Sequence, residues 1–221
     1  MFRTAKVVTV ALALIATTSL TALPSQAAER PVTVPGCKAA TAKGKVPVKV
    51  RQPAATAKPT TKSLTLKTNC GDIVIEMFGS KAPVTVNAIS ALARGGYYNK
   101  SLCHRLTTEG IYVLQCGDPT LSGSGSPIGW QGYVDENLPA NVAKNYPAGT
   151  VAMANSGPGT NGSQFFLVFA DTTLGANYTI WGTITQGLDI VKAIAKAGVK
   201  GGGADGTPNQ TIAINRVTVT N

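Results

Sequence analysis

The sequence predicts a mainly β domain, a barrel or sandwich of short strands with two helices at its ends. Segments with strand-like alternation recur at intervals of about 8–12 residues, which is typical of all-β barrels and sandwiches. Only two segments have helical periodicity, and many of the long connections are rich in glycine. Strands and helices do not alternate regularly, so a parallel α/β sheet is not expected.

The folded part begins with a predicted β-hairpin. Residues 63–68 and 72–78 alternate between apolar and polar side chains, with turn-forming residues between them. A helix is predicted at 85–94, where apolar residues recur at helical spacing until two glycines end the pattern. Pro83 suits the first turn of this helix, because proline has no backbone N–H to lose there.

The later predicted elements are shorter and more widely separated. Two short strands flank the loop 107–111, and a long loop rich in glycine and serine covers 118–132. Long glycine-rich loops often carry function, so these connections are candidate parts of a site. Further strands are predicted at 150–154, 164–169, 178–184 and 210–219, and a second amphipathic helix at 188–195.

The first residues resemble a secretory signal peptide. Arg3 and Lys6 precede an apolar stretch, and small residues then offer a cleavage site near Ala27/Ala28. We therefore expect residues 1–27 to be removed and the protein to be secreted or extracytoplasmic. The alternative is that the apolar stretch anchors the chain in a membrane, although its length is near the lower limit for a span.

Residues 28–62 form a basic segment rich in Ala, Thr, Lys and Pro, which predicts a flexible linker or tail before a single domain at 63–221. Residues 28–63 contain eight basic residues and one acidic residue, whereas the chain from residue 64 onward has ten basic and nine acidic residues. The net charge of +10 therefore predicts no nucleic-acid-binding face on the domain. The tail alone has the charge to contact an anionic cell envelope.

The four cysteines predict disulfides rather than a metal site. They are Cys37, Cys70, Cys103 and Cys116, an even number in a chain expected to be exported, which allows three connectivities. There is no C-x-x-C pair, and the only histidine, His104, is the sequence neighbour of Cys103. We expect neither a metal nor a cofactor.

The familiar covalent mechanisms are poorly supported. No G-x-S-x-G turn is present to carry an activated serine, and neither phosphate-binding glycine pattern occurs. The sequence instead holds neutral polar residues among apolar ones in three clusters. These lie at 103–106 together with 115–118, at 153–166, and at 174–182.

At these clusters the chain resembles the cyclophilins, from about residue 64 to residue 221. Residues 153–166 match the family signature almost letter for letter, and Cys103-His104-Arg105 and Gln115-Cys116-Gly117-Asp118 match two further elements. The resemblance implies an eight-stranded antiparallel β-barrel capped by two α-helices, with a proline site on its outer face. It also implies a peptidyl-prolyl cis–trans isomerase that acts on proline-containing polypeptides.

The resemblance assigns a role to each matched residue. Arg105 takes the position of the catalytic arginine, where a fixed guanidinium would stabilise the twisted X–Pro amide. The expected substrate-binding residues are His104, Tyr112, Val113, Gln115, Ala154, Asn155, Gln164, Phe166, Leu174 and Tyr178. We expect a monomer that assists the folding of exported proteins. The alternative is a module that binds proline-containing segments, or acts as a chaperone, with little turnover.

The sequence departs from the family pattern in the loop 107–114, which is longer by two residues. Tyr112 and Val113 are placed on the family's pocket residues by counting back from Gln115. The family's tryptophan is replaced near Thr173, and its pocket histidine corresponds to Tyr178. Because an aromatic contact is lost, we expect weak or no binding of cyclosporin.

The same resemblance suggests a connectivity for the cysteines. Cys103 and Cys116 replace family residues on two paired strands beside the site, so a Cys103–Cys116 disulfide would join the strands of Arg105 and Gln115. A Cys37–Cys70 disulfide would then attach the tail to the first hairpin.

Overall fold

The structure, a computed structural model, describes Met1 and residues 34–221. Apart from Met1, the predicted signal peptide and its cleavage site near Ala27/Ala28 lie outside the described residues. No helix in the described part is long and apolar enough to span a membrane. The described elements are β1 (Ser63–Thr68), β2 (Gly71–Met77), α1 (Pro83–Arg94), β3 (Ser101–Leu102), β4 (Arg105–Thr107), β5 (Val113–Cys116), β6 (Thr150–Met153), β7 (Phe165–Val168), β8 (Ile180–Gln186), α2 (Leu188–Ala197), β9 (Asp205–Gly206) and β10 (Ala213–Thr220).

The described strands form one antiparallel sheet in the order β3-β10-β1-β2-β8-β6-β7-β5-β4-β9. The predicted mainly β architecture with two helices is confirmed. The strand count is ten rather than the expected eight. The two additional strands are β3 and β9. Each has only two residues, too few to show an alternating pattern in the sequence.

The two ends of the sheet meet through a single segment of chain. β3 pairs with β10 at one end of the sheet and β4 pairs with β5 near the other, yet only Cys103 and His104 separate β3 from β4. The Cys103 N–H donates to Ile212 O at 3.1 Å, and the His104 N–H donates to Gln115 O at 3.0 Å. The segment therefore closes the sheet into a barrel.

The barrel interior is filled by apolar side chains. Leu106, Leu114 and Trp181 are fully buried in one large core cluster. Helix α1 buries the apolar residues that predicted it, among them Val86 and Ile89, against this core. Because the interior is packed, a ligand can bind this barrel only on its outer surface.

The segment 34–62, which we call the N-terminal strap, contains no helix or strand, but it lies against the domain. A disulfide joins Cys37 to Cys70 in the turn between β1 and β2. Next to it, the Lys38 N–H donates to Asn69 O at 2.8 Å. The composition predicts a flexible segment; the disulfide and this hydrogen bond hold its first residues on the hairpin.

The strap then follows the loop 118–132. The Lys45 N–H donates to Pro119 O at 2.8 Å, and the Trp130 indole donates to Val50 O at 2.7 Å. Val50 packs against the core cluster as well. Backbone groups that the strap cannot pair within itself are thus paired with the domain, which accounts for its docking.

All four cysteines are paired, Cys37 with Cys70 and Cys103 with Cys116, as we expected from the resemblance. The second disulfide links the residue after β3 to the last residue of β5. Two disulfides are typical of a protein that works in an oxidising, extracytoplasmic compartment.

The Cys37–Cys70 disulfide closes a loop over a sequence separation of 33 residues. We expect the double substitution Cys37→Ser/Cys70→Ser to lower the free energy of unfolding by about 3–4 kcal/mol, the loop-entropy value for a loop of this size. It should also raise hydrogen exchange at the strap amides, including Lys45. Urea unfolding and hydrogen–deuterium exchange measure both effects.

The matched control is Cys103→Ser/Cys116→Ser, which should destabilise the domain while leaving exchange in the strap unchanged under native conditions. Equal strap protection in wild type and Cys37→Ser/Cys70→Ser would contradict this role for the disulfide.

Candidate functional site

Three adjacent strands carry apolar residues on both of their faces. Along β5, β7 and β6 the side chains alternate, so Leu114 and Phe165 enter the core while Val113 and Phe166 point outward. The outward residues form a second buried cluster with Ala152 and with residues of the flanking loops. Of the sequence neighbours Phe165 and Phe166, Phe165 lies in the core cluster and Phe166 in the second cluster.

This second cluster forms the floor of a pocket of about 180 Å³, which we call the apolar pocket. Eight of the eleven site residues predicted from the sequence line it. These eight are Arg105, Val113, Gln115, Ala154, Asn155, Phe166, Leu174 and Tyr178, and Ile111 lines it as well. The pocket therefore combines an apolar floor with a few polar groups at its edge, the usual character of a small ligand site.

Arg105 lies at the edge of the apolar pocket and is held on two sides. Its Nε donates to Asp205 Oδ1 at 2.8 Å and its Nη2 to Asp205 Oδ2 at 2.7 Å. Its Nη1 donates to Gln115 Oε1 at 3.2 Å. The hydrogen bonds with Asp205 raise the pKa of Arg105 above its ordinary value, so the side chain stays charged.

A chain of hydrogen bonds leads from Arg105 to the loop 118–132. Gln115 lies directly opposite Arg105 in the β4–β5 pair and donates through Nε2 to Gln164 Oε1 at 2.9 Å. Gln164 Nε2 then donates to Gly123 O at 3.0 Å and Gly125 O at 3.1 Å. Each amide acts as acceptor and donor in turn, so the chain fixes the orientation of Gln115.

A second, polar pocket adjoins the first and shares Gln115, Ala154 and Asn155 with it. It has a volume of about 170 Å³, and Gln164 lines it together with glycines and serines of the loop 118–132. Apart from Ala154, its lining residues are glycines and residues with hydroxyl or amide side chains. This pocket suits an extended peptide, whose main chain needs hydrogen-bond partners on both sides of a bound residue.

The buried carboxylate of Asp118 organises the loop that forms the polar pocket. It accepts hydrogen bonds from the backbone N–H groups of Thr120, Gly123 and Gly125 and from the Thr120 hydroxyl. Burial alone would raise the pKa of Asp118, but these hydrogen bonds lower it overall, so the carboxylate stays ionised. The charge is balanced by oriented N–H dipoles in place of a cation.

The far wall of the apolar pocket is fixed by aromatic contacts. The Tyr178 ring meets Phe166 edge-on with 5.6 Å between ring centroids. The buried Tyr146 hydroxyl donates to Tyr178 O at 3.2 Å and accepts from the Tyr178 N–H at 3.1 Å. On the same side, Asn155 Nδ2 donates to Asn177 O at 2.8 Å, which holds that side chain at the edge.

Two of the predicted site residues, His104 and Tyr112, line neither the apolar pocket nor the polar pocket. The Tyr112 ring packs edge-on against Phe169 at 5.9 Å and contacts the core cluster. Ile111 reaches the apolar pocket one residue earlier, so its floor at this edge is aliphatic. The loop 107–114 is longer than the family pattern by two residues, which changes the side chains that reach the apolar pocket. An alignment made by counting back from Gln115 does not detect this change.

His104 points into a separate cavity of about 270 Å³ that Cys103, Lys200 and Thr211 also line. Among the described residues neither ring nitrogen has a hydrogen-bond partner. Burial lowers the pKa of His104, which keeps the imidazole neutral near pH 7. His104 thus lies beside Arg105 in sequence but points away from it.

Sequence reasoning missed Asp205, Tyr146 and Ile111. Asp205 lies in a glycine-rich stretch, where nothing in the sequence marks one carboxylate as the partner of an arginine 100 residues away. Tyr146 precedes a proline in a loop between predicted elements. A weak signal existed for Ile111, since it is an apolar residue within the unusual loop.

A model of the family described as cyclophilin-type peptidyl-prolyl cis-trans isomerase/CLD matches residues 63–219 of this chain. Among curated proteins, the chain is 45% identical over 166 residues to a probable peptidyl-prolyl cis-trans isomerase B of Mycobacterium leprae, covering 71% of this chain and 56% of that one. It is 44% identical over 169 residues to the protein of that name in Mycobacterium tuberculosis, covering 72% and 54%. The chain therefore spans about half the length of these relatives.

Solved structures of proteins in the same family also superpose on this chain. A cyclophilin-type peptidyl-prolyl cis-trans isomerase of Cryptosporidium parvum superposes with a TM-score of 0.62 and 26% identity, covering 73% of this chain and 98% of that one. A structure of that protein in the presence of the dipeptide Ala-Pro superposes with a TM-score of 0.61 and 26% identity, covering 72% and 99%.

His104 is the only histidine, so stability near pH 6 reports on this residue. Because its folded pKa lies below the unfolded value of about 6.5, the unfolded chain binds a proton first as the pH falls. We expect the free energy of unfolding to fall between about pH 7.5 and 5.5, and to fall less in His104→Gln. Urea unfolding at both pH values measures this, and equal losses in both proteins would contradict it.

Proposed function

We propose that this chain, which belongs to the cyclophilin-type peptidyl-prolyl cis-trans isomerase family, accelerates rotation about X–Pro peptide bonds in exported proteins. The observation that carries the proposal is a guanidinium fixed at the edge of an apolar pocket. The family supplies the reaction, and the contacts of Arg105 supply a way to perform it.

The reaction breaks no bond, so it needs neither a nucleophile nor a base. An X–Pro amide resists rotation because resonance gives its C–N bond partial double-bond character, with a barrier of about 18–20 kcal/mol. Twisting the bond ends this resonance and localises a lone pair on the prolyl nitrogen. A donor that bonds to this lone pair stabilises the twisted state and not the planar one.

The position of Arg105 at the apolar pocket supports its assignment as that donor. The prolyl ring would lie on Val113, Phe166 and Leu174, which exclude water from the apolar pocket. A site shielded from water strengthens the hydrogen bond from Arg105 and disfavours the planar amide, which is the more polar form. Each 1.4 kcal/mol of this preference gives about a tenfold acceleration.

The substrate backbone would be bound beside the ring. Asn155 and Ala154 line both pockets, so they can contact the residue before proline. Gln164 lines only the polar pocket, so it would bind the peptide one residue farther from the proline. This arrangement supports recognition of a proline within an extended polypeptide rather than of free proline.

Export of the protein rests on two observations. The first is the pair of disulfides, since the cytosol keeps thiols reduced. The second is the sequence pattern of the first 27 residues, which is typical of a signal peptide. The clients would then be secreted or cell-envelope proteins, and the cations of the strap favour contact with an anionic envelope.

Substitution of Arg105 tests the reaction. We expect Arg105→Ala to lower kcat/KM for a proline peptide by about 10²-fold, the usual cost of removing one transition-state donor. Arg105→Lys should restore little of this, because an ammonium keeps the charge but not the planar fork. The rate is measured by NMR exchange spectroscopy or a protease-coupled assay.

The matched control is Arg216→Ala, an exposed arginine on β10 that should leave the rate unchanged. A wild-type protein that binds the peptide without accelerating its isomerisation would contradict the proposal and leave a binding module in its place.

Sensitivity to cyclosporin tests the expected loss of the family's tryptophan from the binding site. The resemblance puts the family's tryptophan near Thr173, whose hydroxyl accepts a hydrogen bond from the Lys144 N–H at 2.8 Å. We expect weak inhibition of the wild type. Thr173→Trp should strengthen inhibition by about tenfold, equivalent to 1.4 kcal/mol, because an aromatic surface is restored. Inhibition of the wild type at nanomolar concentration would contradict this.

A further inference from the structure

Asp205 holds Arg105 through both carboxylate oxygens. The two hydrogen bonds, at 2.8 Å to Nε and 2.7 Å to Nη2, form the side-on bidentate geometry that fixes both the position and the plane of a guanidinium. In contrast, Lys67 and Asp72 on the β1–β2 hairpin make a single contact, at 3.6 Å. The Arg105 pair thus has a directional geometry that an ordinary surface ion pair lacks.

The backbone places Asp205 for this contact. Strand β9 pairs with β4, so that Asp205 lies opposite Thr107, and the Thr108 N–H donates to Ala204 O at 2.8 Å. Gly206 follows with φ +154°, and a Cβ there would meet Val199 Cγ1 at 3.0 Å. The turn that carries Asp205 is therefore attached to the strand that carries Arg105.

The remaining donors of Arg105 are left for a substrate. A guanidinium has five N–H groups, of which Asp205 takes two and Gln115 takes one. One N–H on Nη1 and one on Nη2 are free of these two partners. Arg105 lines the apolar pocket, so these are the groups that can meet a prolyl nitrogen there.

The ion pair is too exposed to have stability as its main effect. The side chains of Arg105 and Asp205 are 40% and 54% exposed, close to the 50% and 52% of Lys67 and Asp72. Exposed pairs of this kind contribute little to folding. What a bidentate contact does change is the number of rotamers that the long arginine side chain can occupy.

From this geometry we propose that Asp205 is a positioning residue for the isomerase reaction, which holds the Arg105 guanidinium in its catalytic orientation without touching the substrate. The inference rests on the proposed function. Gln115 alone contacts one corner of the guanidinium and leaves it free to turn about that contact. With Asp205 on the opposite edge, the plane is set before a substrate arrives, and a preorganised donor loses no orientation entropy during the reaction.

The experiment compares Asp205→Ala and Asp205→Glu with the control Asp72→Ala. We expect Asp205→Ala to lower kcat by about tenfold with KM unchanged, less than the 10²-fold that misplacement can cost, because Gln115 remains. Asp205→Glu keeps the carboxylate and should recover part of the rate. Asp72→Ala removes an equally exposed carboxylate and should change neither parameter.

A second measurement reports the contact itself. In ¹H–¹⁵N spectra the Nε–H signal of Arg105, assigned by its loss in Arg105→Lys, should be resolved and slow to exchange in the wild type. It should broaden or exchange rapidly in Asp205→Ala and not in Asp72→Ala. This readout needs no turnover, so it decides whether Asp205 fixes the guanidinium even if the proposed function fails.

The inference is overturned by an unchanged kcat in Asp205→Ala, or by a loss of kcat that Asp72→Ala shares. It is also overturned by an Arg105 Nε–H signal that is the same with and without Asp205. A wild type without isomerase activity overturns the proposed function, and with it the catalytic part of this inference, whereas the NMR result still decides the contact.

Discussion

The double pairing of the segment 101–107 is the constraint on which the rest of the structure depends. Its first residues pair with β10 and its last with β5, and only Cys103 and His104 lie between. The sheet must curl until β10 and β5 are within reach of one short segment. Arg105, the first residue of β4, is thereby placed opposite Gln115, and the disulfide joins Cys103, just before β4, to Cys116 at the end of β5. The position of the arginine is a consequence of how the barrel closes.

A closed barrel with a packed interior leaves the outer face as the place for a site. Outward residues on a surface sheet are normally polar, but on β5, β7 and β6 they include Val113, Phe166 and Ala152. Tyr146, which is fully buried, covers part of this apolar surface and hydrogen-bonds the backbone at Tyr178. What stays open is a small apolar surface surrounded by polar groups, and that combination favours a ring with an amide on either side.

The sequence predicts those parts of the site that depend on short-range patterns. Matched motifs assign Phe166 to the pocket wall and bring Arg105 and Gln115 to the same pocket. Tyr112 lies outside the apolar pocket, because the position of its side chain depends on how a longer loop returns to β5, which no local pattern records. The strap was expected to be flexible because its composition is poor in large apolar residues, whereas its docking depends on backbone pairing such as that of Lys45 with Pro119. Contacts made through the main chain leave little trace in side-chain composition.

The anchors of Arg105 show why the proposed mechanism would need arginine in particular at this position. Gln115 lies 10 residues away and Asp205 lies 100 residues away, so the two contacts converge only in the folded barrel. A lysine has three donors on one tetrahedral nitrogen and could not satisfy both anchors and a substrate in one plane. The guanidinium spreads five donors over three nitrogens, so two partners can hold it while two N–H groups remain for a substrate. The same planar group thus provides both the rigidity of the side chain and the donors that remain for a substrate. The proposed donor to the transient lone pair of a twisted amide requires both.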